Sequence, residues 1–214
     1  VQKAASILTS GGTALEAAVE ACVILEDDPV FNAGTGSVIR TDGSVLTDAS
    51  IQIGDGRVGF VIAMENTPNP IRVAADLLNE EINGLTSAGA RLWADQKSHL
   101  NAKVEGRSPE GQIGDENAEI TGDTIGVIAR DNTGMIVVAT STGGCSYRPP
   151  GRVGDVPLPG SGFWAEDCLA VAATGIGEAI TRALLSNKVY ERIKNKGASL
   201  EESMRWGIDT LISP

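Results

Sequence analysis

The order of secondary-structure signals predicts an α+β fold built of stacked helical and sheet layers. Three observations carry that expectation. Strand-like and helix-like runs come in blocks without regular βα alternation, which argues against a doubly wound parallel sheet. Two turn signals, Gly54-Asp55-Gly56 and Asp131-Asn132-Thr133-Gly134, join runs of strand character. Hydrophobic residues make up 42% of the 214, enough for a real core, so wholesale disorder is excluded.

The elements follow in order. Gly11-Gly12-Thr13 opens a helix in which Thr13 and Glu16 have capping-box spacing; Leu15, Val19, Cys22 and Val23 form an apolar stripe out to about Leu25. A turn-rich loop runs from Glu26 to Ser37. Strands are predicted at Ser37–Arg40, Ser44–Ile53 and Arg57–Met64, separated by Asp42-Gly43 and Gly54-Asp55-Gly56. Pro68 and Pro70 end that run and precede helices over Ile71–Glu81 and Thr86–Lys97. From Ser98 to Asp123 the chain is polar and glycine-rich with no period, and it reads as an exposed flexible linker. Strands return at Thr124–Arg130 and Met135–Thr142. A glycine- and proline-rich loop covers Gly143–Gly162, a strand Cys168–Ala173, and helices Gly177–Lys194 and Ser199–Leu211, the last with Ser199 and Glu202 as a capping box. There is no internal repeat, and residues 1–214 read as one domain.

Composition removes several functions. Aromatics are 4%, too few for a stacking surface on single-stranded nucleic acid. A net charge of −11 argues against DNA and anionic membranes. That charge is uneven: residues 1–123 carry 8 Lys/Arg against 19 Asp/Glu, while residues 124–214 carry 9 of each. Three cysteines without C-x-x-C spacing offer no metal cluster. The one histidine, His99, excludes a His-rich zinc site and leaves a Ser-His-Asp triad a single imidazole to use. No stretch approaches the roughly 20 apolar residues of a membrane span, and no signal peptide is visible, so a cytoplasmic location is expected.

The chemistry gathers at the linker's end. Gly122-Asp123-Thr124-Ile125-Gly126 joins a disordered-looking stretch to a buried strand, where the charge split also falls. If the chain is cut between Asp123 and Thr124, Thr124 supplies a hydroxyl nucleophile and, in its new α-amine with an ordinary pKa of about 7.7–8.0, its own base. The plain alternative is a Thr that merely starts a strand. Thr140-Ser141-Thr142-Gly143-Gly144 ends the hairpin partner and brings the Thr142 hydroxyl toward Thr124. In Gly151–Gly160, Arg152 and Asp155 display a cation and a carboxylate three residues apart, suited either to the two charges of an amino acid or to a salt bridge bracing the loop. Thr174-Gly175 at a strand end offers a hydroxyl and an N–H side by side; a phosphate loop there would want a lysine that is missing.

Taken together, Leu25–Gly36, Asp123–Gly126, Thr140–Gly144, Gly151–Asp155 and Ala173–Glu178 resemble the plant-type asparaginase/isoaspartyl peptidase family of N-terminal nucleophile hydrolases, with glycosylasparaginase as its close relative. The resemblance implies a four-layer αββα sandwich, here without an N-terminal strand bearing His-Gly-Gly and without further C-terminal strands. It implies an α-subunit portion at 1–123 and a β-subunit portion at 124–214, separated by self-cleavage. Thr124 matches the nucleophile, and Thr142 the threonine that tunes it. Arg152 and Asp155 match the substrate's carboxylate and ammonium binders, Thr174 and Gly175 the oxyanion hole, Gly177 a substrate-lining position and Asn32 an asparagine near the nucleophile. Backbone carbonyls of Leu25, Glu26, Asp28, Phe31, Ala33 and Thr35 match a loop around a structural sodium ion; no catalytic cofactor is implied. The implied activity is hydrolysis of asparagine or β-aspartyl dipeptides by a homodimer of αβ protomers, acting on small molecules and not on nucleic acid or membranes. A glycosylasparaginase-like hydrolase and a non-catalytic scaffold are the alternatives.

Overall fold

The computed structural model describes residues 1–108 and 124–212. Two helices, α1 (Gln2–Thr9) and α2 (Ala14–Asp27), precede strands β1 (Thr47–Ile53) and β2 (Val58–Met64). Helix α3 (Pro70–Leu77), the short strand β3 (Gly84–Thr86) and helix α4 (Ser87–Gln96) complete the first part. Strands β4 (Ile125–Arg130), β5 (Ile136–Thr142), β6 (Phe163–Glu166) and β7 (Leu169–Ala172) follow, then helices α5 (Gly177–Ala183), α6 (Leu185–Lys196) and α7 (Leu200–Trp206). The α+β class expected from element order is the class observed.

One sheet is ordered β3-β2-β1-β5-β4, with β3 parallel to β2 and the other pairs antiparallel; β6 and β7 form a second, two-stranded sheet. Alternation along the strands gives the larger sheet two covered faces. Ala49, Ile51, Val137 and Ala139 pack with the apolar residues of α2 and α3. The intervening Val138 packs with Phe163 and Ala165 of β6, and Gln52 Oε1 accepts the Ala165 N–H at 3.1 Å. Helix α6 then packs on β6 and β7.

Local chemistry accounts for the element ends. Thr13 Oγ1 accepts the Glu16 N–H at 3.1 Å, and Asp131 in the β4–β5 turn accepts the Ala14 N–H at 3.0 Å, so two carboxyl or hydroxyl oxygens serve the orphan donors of α2. The same Asp131 closes its own hairpin through Thr133 N–H and Oγ1. Ser199 and Glu202 form a complete capping box at α7.

Several expectations give way. Ser37–Arg40 is not a strand: Val38 makes one isolated bridge to Arg107, and the Arg40 N–H turns back to Ser44 O at 2.8 Å. The partner is the start of the expected linker, where Ala102 N–H also bonds Asn66 O at 3.0 Å and Val104 is buried, so residues 98–108 are docked on the body. The rest of that linker, Asp123 included, lies outside the described residues. The helix expected over Gly177–Lys194 is broken at Leu184, whose φ of 50° ends α5 and begins α6. The break lets Ser186 donate both N–H and Oγ to Ser161 O, and Asn187 N–H reach Gly160 O. Past Trp206 the last helix opens into a π turn over Gly207–Ile212.

One buried charge tests the packing. Glu26 is wholly buried in α2, where Oε1 accepts Ser141 Oγ at 2.7 Å and the Ile71 N–H at 3.2 Å. Burial pushes its carboxyl up to about 8 from an ordinary 4.5. Its contribution to stability is therefore full below about pH 4.5 and lost as pH rises toward 8. Urea unfolding at pH 5 and pH 8 is expected to show that fall, by up to about 1.4 kcal/mol per pH unit. In Glu26→Gln the fall should be smaller, because an amide has no proton to lose.

Candidate active site

The cleft forms where β4 begins. Strand β4 pairs with β5 in the register Ile125↔Ser141, so Thr124 comes opposite Thr142. Thr124 Oγ1 donates to Thr142 Oγ1 at 3.2 Å. The same Thr142 oxygen accepts the Gly144 N–H at 3.0 Å, so it is held from two sides and leaves its own proton free to turn elsewhere. Thr124 is half-buried and Thr142 buried. A cleft of about 230 Å³ opens beside them, lined by Thr124, Ile125, Gly126, Thr140, Ala173 and Thr174 among others. Thr174, exposed just beyond β7, therefore faces the same space as Thr124, with Gly175 following it.

Asn32 reaches this centre through backbone. Its Oδ1 accepts the Val38 N–H at 3.0 Å, its Nδ2 donates to Gly144 O, and its own carbonyl accepts the Gly143 N–H at 2.8 Å. Gly144 has a φ of +82°, a conformation that a side chain would strain. Asn32 thus fixes the turn after Thr142 and makes no hydrogen bond to Thr124.

Arg152 and Asp155 sit on a loop pinned from both sides. Asp155 O accepts the Leu158 and Gly162 N–H groups at 3.0 and 3.1 Å, and Val156 O accepts Ser50 Oγ at 2.7 Å and Thr140 Oγ1 at 3.3 Å. Arg152 pairs with Glu178: Nε donates to Oε1 at 3.1 Å, and Nη2 lies 3.0 Å from it. The loop is thus not braced by an Arg152–Asp155 bridge, and Asp155 Oδ2 is buried without a hydrogen-bond partner. Gly177 closes the contact, since a Cβ there would stand 2.8 Å from both Arg152 Nη2 and Asp155 Oδ1. Burial pushes the Asp155 carboxyl up to about 6, opposed by its own backbone N–H and by Arg152. These residues come from five segments of the chain: Thr124, Thr142 and Thr174 gather at the cleft with Asn32 behind them through Gly144, while Arg152, Asp155 and Gly177 form a cluster that Gly175 joins to Thr174 along the chain.

Some participants carry no motif. Glu178 emerges only as the partner of Arg152, although it ends the Ala173–Glu178 segment. Ser50, whose only signal was a hydroxyl on the inward face of an apolar strand, holds Val156 O together with Thr140, which opens the Thr140–Gly144 segment. His99 stands apart, stacked on Trp93 with Nε2 3.0 Å from Asp76 Oδ2.

The carbonyl loop after α2 has the chemistry of a cation site. Leu25 and Glu26 lie in the last turn of α2, where backbone carbonyls lack intrahelical partners and no basic side chain offsets the helix dipole. Gly34 and Gly36 press on carbonyls of that loop: a Cβ would stand 2.6 Å from Glu26 O at Gly34 and 2.1 Å from Phe31 O at Gly36. Asp28 O and Ala33 O each accept one N–H, from Phe31 and Gly36, which leaves each a second lone pair. Neutral carbonyls at the negative end of a helix suit a hard monovalent cation. Among the described residues, no three His, Cys, Asp or Glu side chains converge as a metal site, and no helix is long and apolar enough to cross a membrane.

Comparison with known proteins matches this region and most of the chain. A family model described as "Asparaginase" matches residues 1–99 and 82–213. A plant-type L-asparaginase of Pyrobaculum calidifontis is 35% identical over 225 residues, covering 93% of this chain and 75% of that protein. An isoaspartyl peptidase/L-asparaginase of Nostoc sp. is 37% identical, over 96% of this chain and 70% of its own length. The protein of the same name from Bos taurus is 35% identical, over 92% and 69%.

Thr142→Val keeps the shape of the side chain but leaves the buried Gly144 N–H without its acceptor. Unfolding free energy is expected to drop by about 1–3 kcal/mol in a urea titration.

Proposed function

The chain belongs to the asparaginase family, and on that premise we propose that it is an amidohydrolase that cuts itself before Thr124 and then hydrolyses the side-chain amide of L-asparagine and of β-aspartyl dipeptides. The observation that carries this reading is the Thr124–Thr142 hydrogen bond at the mouth of a cleft that Thr174 also lines. Layering of helices, a five-stranded sheet, a two-stranded sheet and α6 supports a four-layer αββα sandwich of the N-terminal nucleophile type. The family resemblance extends the proposal to a homodimer of αβ protomers.

Maturation comes first. Thr124 Oγ attacks the Asp123 carbonyl carbon, the peptide C–N bond breaks, and the ester formed is hydrolysed by water. This leaves a carboxylate on Asp123 and a free α-amine on Thr124. With an ordinary pKa of about 7.7–8.0, that amine is a competent base near neutrality.

In turnover the amine takes the proton of its own Oγ, which attacks the substrate amide carbon. Negative charge moves onto the carbonyl oxygen, where the Thr174 hydroxyl and the Gly175 N–H receive it; such a donor is worth about 3–4 kcal/mol. The proton passes from the ammonium to the leaving nitrogen, and ammonia or an amino acid departs. Water, deprotonated by the amine, then cleaves the acyl ester and restores Thr124 with release of aspartate. Thr142 accepts the nucleophile's hydroxyl before attack, and its own free proton can turn to the Thr124 oxygen once that hydroxyl has lost its proton. Arg152, kept in place by Glu178, binds the substrate α-carboxylate, and Asp155 binds the α-ammonium across Gly177, whose missing side chain leaves room for both. The carbonyls of Leu25, Glu26, Asp28, Phe31, Ala33 and Thr35 would hold a structural sodium ion, which would supply positive charge at the end of α2.

Thr124→Ala should leave one unbroken band on a denaturing gel and release no ammonia from asparagine; two fragments from that variant would overturn self-cleavage. Asp155 binds ammonium only when ionised. Because its carboxyl is pushed up to about 6, KM for asparagine should rise as pH falls through that value, by about tenfold per pH unit at the limit. Asp155→Asn should show a high KM that no longer varies with pH in that window.

A further inference from the structure

We infer that Arg40 and Asp48, two buried charges outside the cleft, are positioning residues for the acyl transfer: together they hold the Thr142–Gly144 turn in the geometry that presents Thr142 to Thr124. The inference rests on the function proposed above.

Asp48 stands directly opposite Thr142 in the pairing of β1 with β5. On its other side the pairing with β2 is irregular, because Thr47 opposes Met64 while Ala49 opposes Val61. Asp48 thus faces two residues of β2 across a bulge, where Ala63 adopts a φ of 52°. Asp48 Oδ1 accepts the Ala63 N–H that the bulge frees, at 2.7 Å. Its Oδ2 is buried without a hydrogen-bond partner, in a residue only 1% exposed.

Arg40 reaches the same turn at Gly144. It is 3% exposed, and its backbone closes the tight turn to Ser44. The Nη end of its guanidinium presses on Gly144: a Cβ there would be 2.5 Å from Nη2, 2.6 Å from Nη1 and 2.8 Å from Cζ. Nε and Nη1 have no hydrogen-bond partner. Gly144 is the residue whose N–H fixes Thr142 Oγ1 and whose carbonyl is held by Asn32. A guanidinium that moves therefore frees Gly144 and, through it, the hydroxyl beside the nucleophile.

Packing alone would need no charge at either place. A buried ion without its counter-charge is strongly unfavourable, so removing either partner should disturb the other. The two make no ion pair or hydrogen bond with each other, so they act at longer range: the Asp48 carboxylate favours the buried guanidinium, and Arg40 helps keep Asp48 ionised against its burial. Neither side chain lines the cleft, so both act through Thr142 and Gly144.

The test is a double-mutant cycle on the full chain with Arg40→Met, Asp48→Asn and the two combined, together with Arg40→Lys. For Arg40→Met, kcat with asparagine should fall by about ten- to a hundredfold while KM stays within about twofold, as expected of a displaced rather than a lost catalytic group. Adding Asp48→Asn should restore part of that loss, because the uncompensated carboxylate is gone, and Arg40→Lys should retain most of the activity. Unchanged kcat, a loss confined to KM, or a double variant whose loss is the product of the two single losses would overturn the inference. Urea unfolding of the same variants reads the pair without any turnover: non-additive stabilities are expected, and strict additivity would sink the charge pair. A wild-type chain inactive on asparagine and on β-aspartyl dipeptides would instead overturn the proposed function, with the unfolding cycle still deciding the pair. Should Arg40→Met fail to fold, Arg40→Lys and Asp48→Asn carry the same comparison.

Discussion

The oxygen of Thr142 is the point on which the site is organised. Two donors converge on it: the Thr124 hydroxyl, placed by the β4–β5 register, and the Gly144 N–H, placed by the turn that Asn32 holds. Slipping β4 by one residue would turn Thr124 to the other face of the sheet. The pairing of β5 between β1 and β4 prevents that slip, since β5 is buried at every position and hydrogen-bonded along both edges. Thr124 is thus placed by the pairing of β4 with β5, and the loops around it add Thr174 and the Asn32–Gly144 contact.

A second theme is how much charge the interior tolerates. Glu26, Asp48 and Arg40 are all buried, and Asp155 nearly so. Each answers desolvation differently. Glu26 holds its proton to about pH 8 and behaves as a neutral hydrogen-bonding group between α2, α3 and β5. Asp48 and Asp155 are pushed to about 6 and stay ionised at neutrality with help from Arg40 and Arg152. In the proposed function Asp155 receives an ammonium and has reason to stay charged, whereas Glu26, which bridges secondary-structure elements, does not. Isolated buried charges of this kind are expensive unless paired, so several clustered around one turn imply a job that apolar packing would not do.

Much of the fold was legible because its signals are local. Thr13 before an apolar stripe, Asp131-Asn132-Thr133-Gly134 between two β-like runs and Ser199 three residues before Glu202 each act through contacts within a few residues. The misreadings have the opposite character. Ser37–Arg40 has strand-like residues but pairs with a segment about seventy positions away, at Arg107, which no local pattern reports. Leu184 lies in a helix-like run and breaks it because Ser186 and Asn187 bond a loop more than twenty residues earlier. The polar character of residues 98–108 suggests flexibility, yet the carbonyl of Asn66 and the edge at Ser37–Ile39 receive that chain.

The sequence alone carried the order of elements, the junction at Asp123-Thr124, the cation and carboxylate of the Gly151–Gly160 loop, and the segments by which the family is recognised. These are properties of residue type and short spacing, so they survive without coordinates. Only the folded chain decided which groups meet: Arg152 with Glu178 rather than Asp155, Asn32 with Gly144 rather than Thr124, and Arg40 and Asp48 each with a turn neither is near in sequence. The reason is that such pairings depend on strand register and on where burial leaves a charge without water. Both are set by the whole sheet at once and by no stretch of it alone.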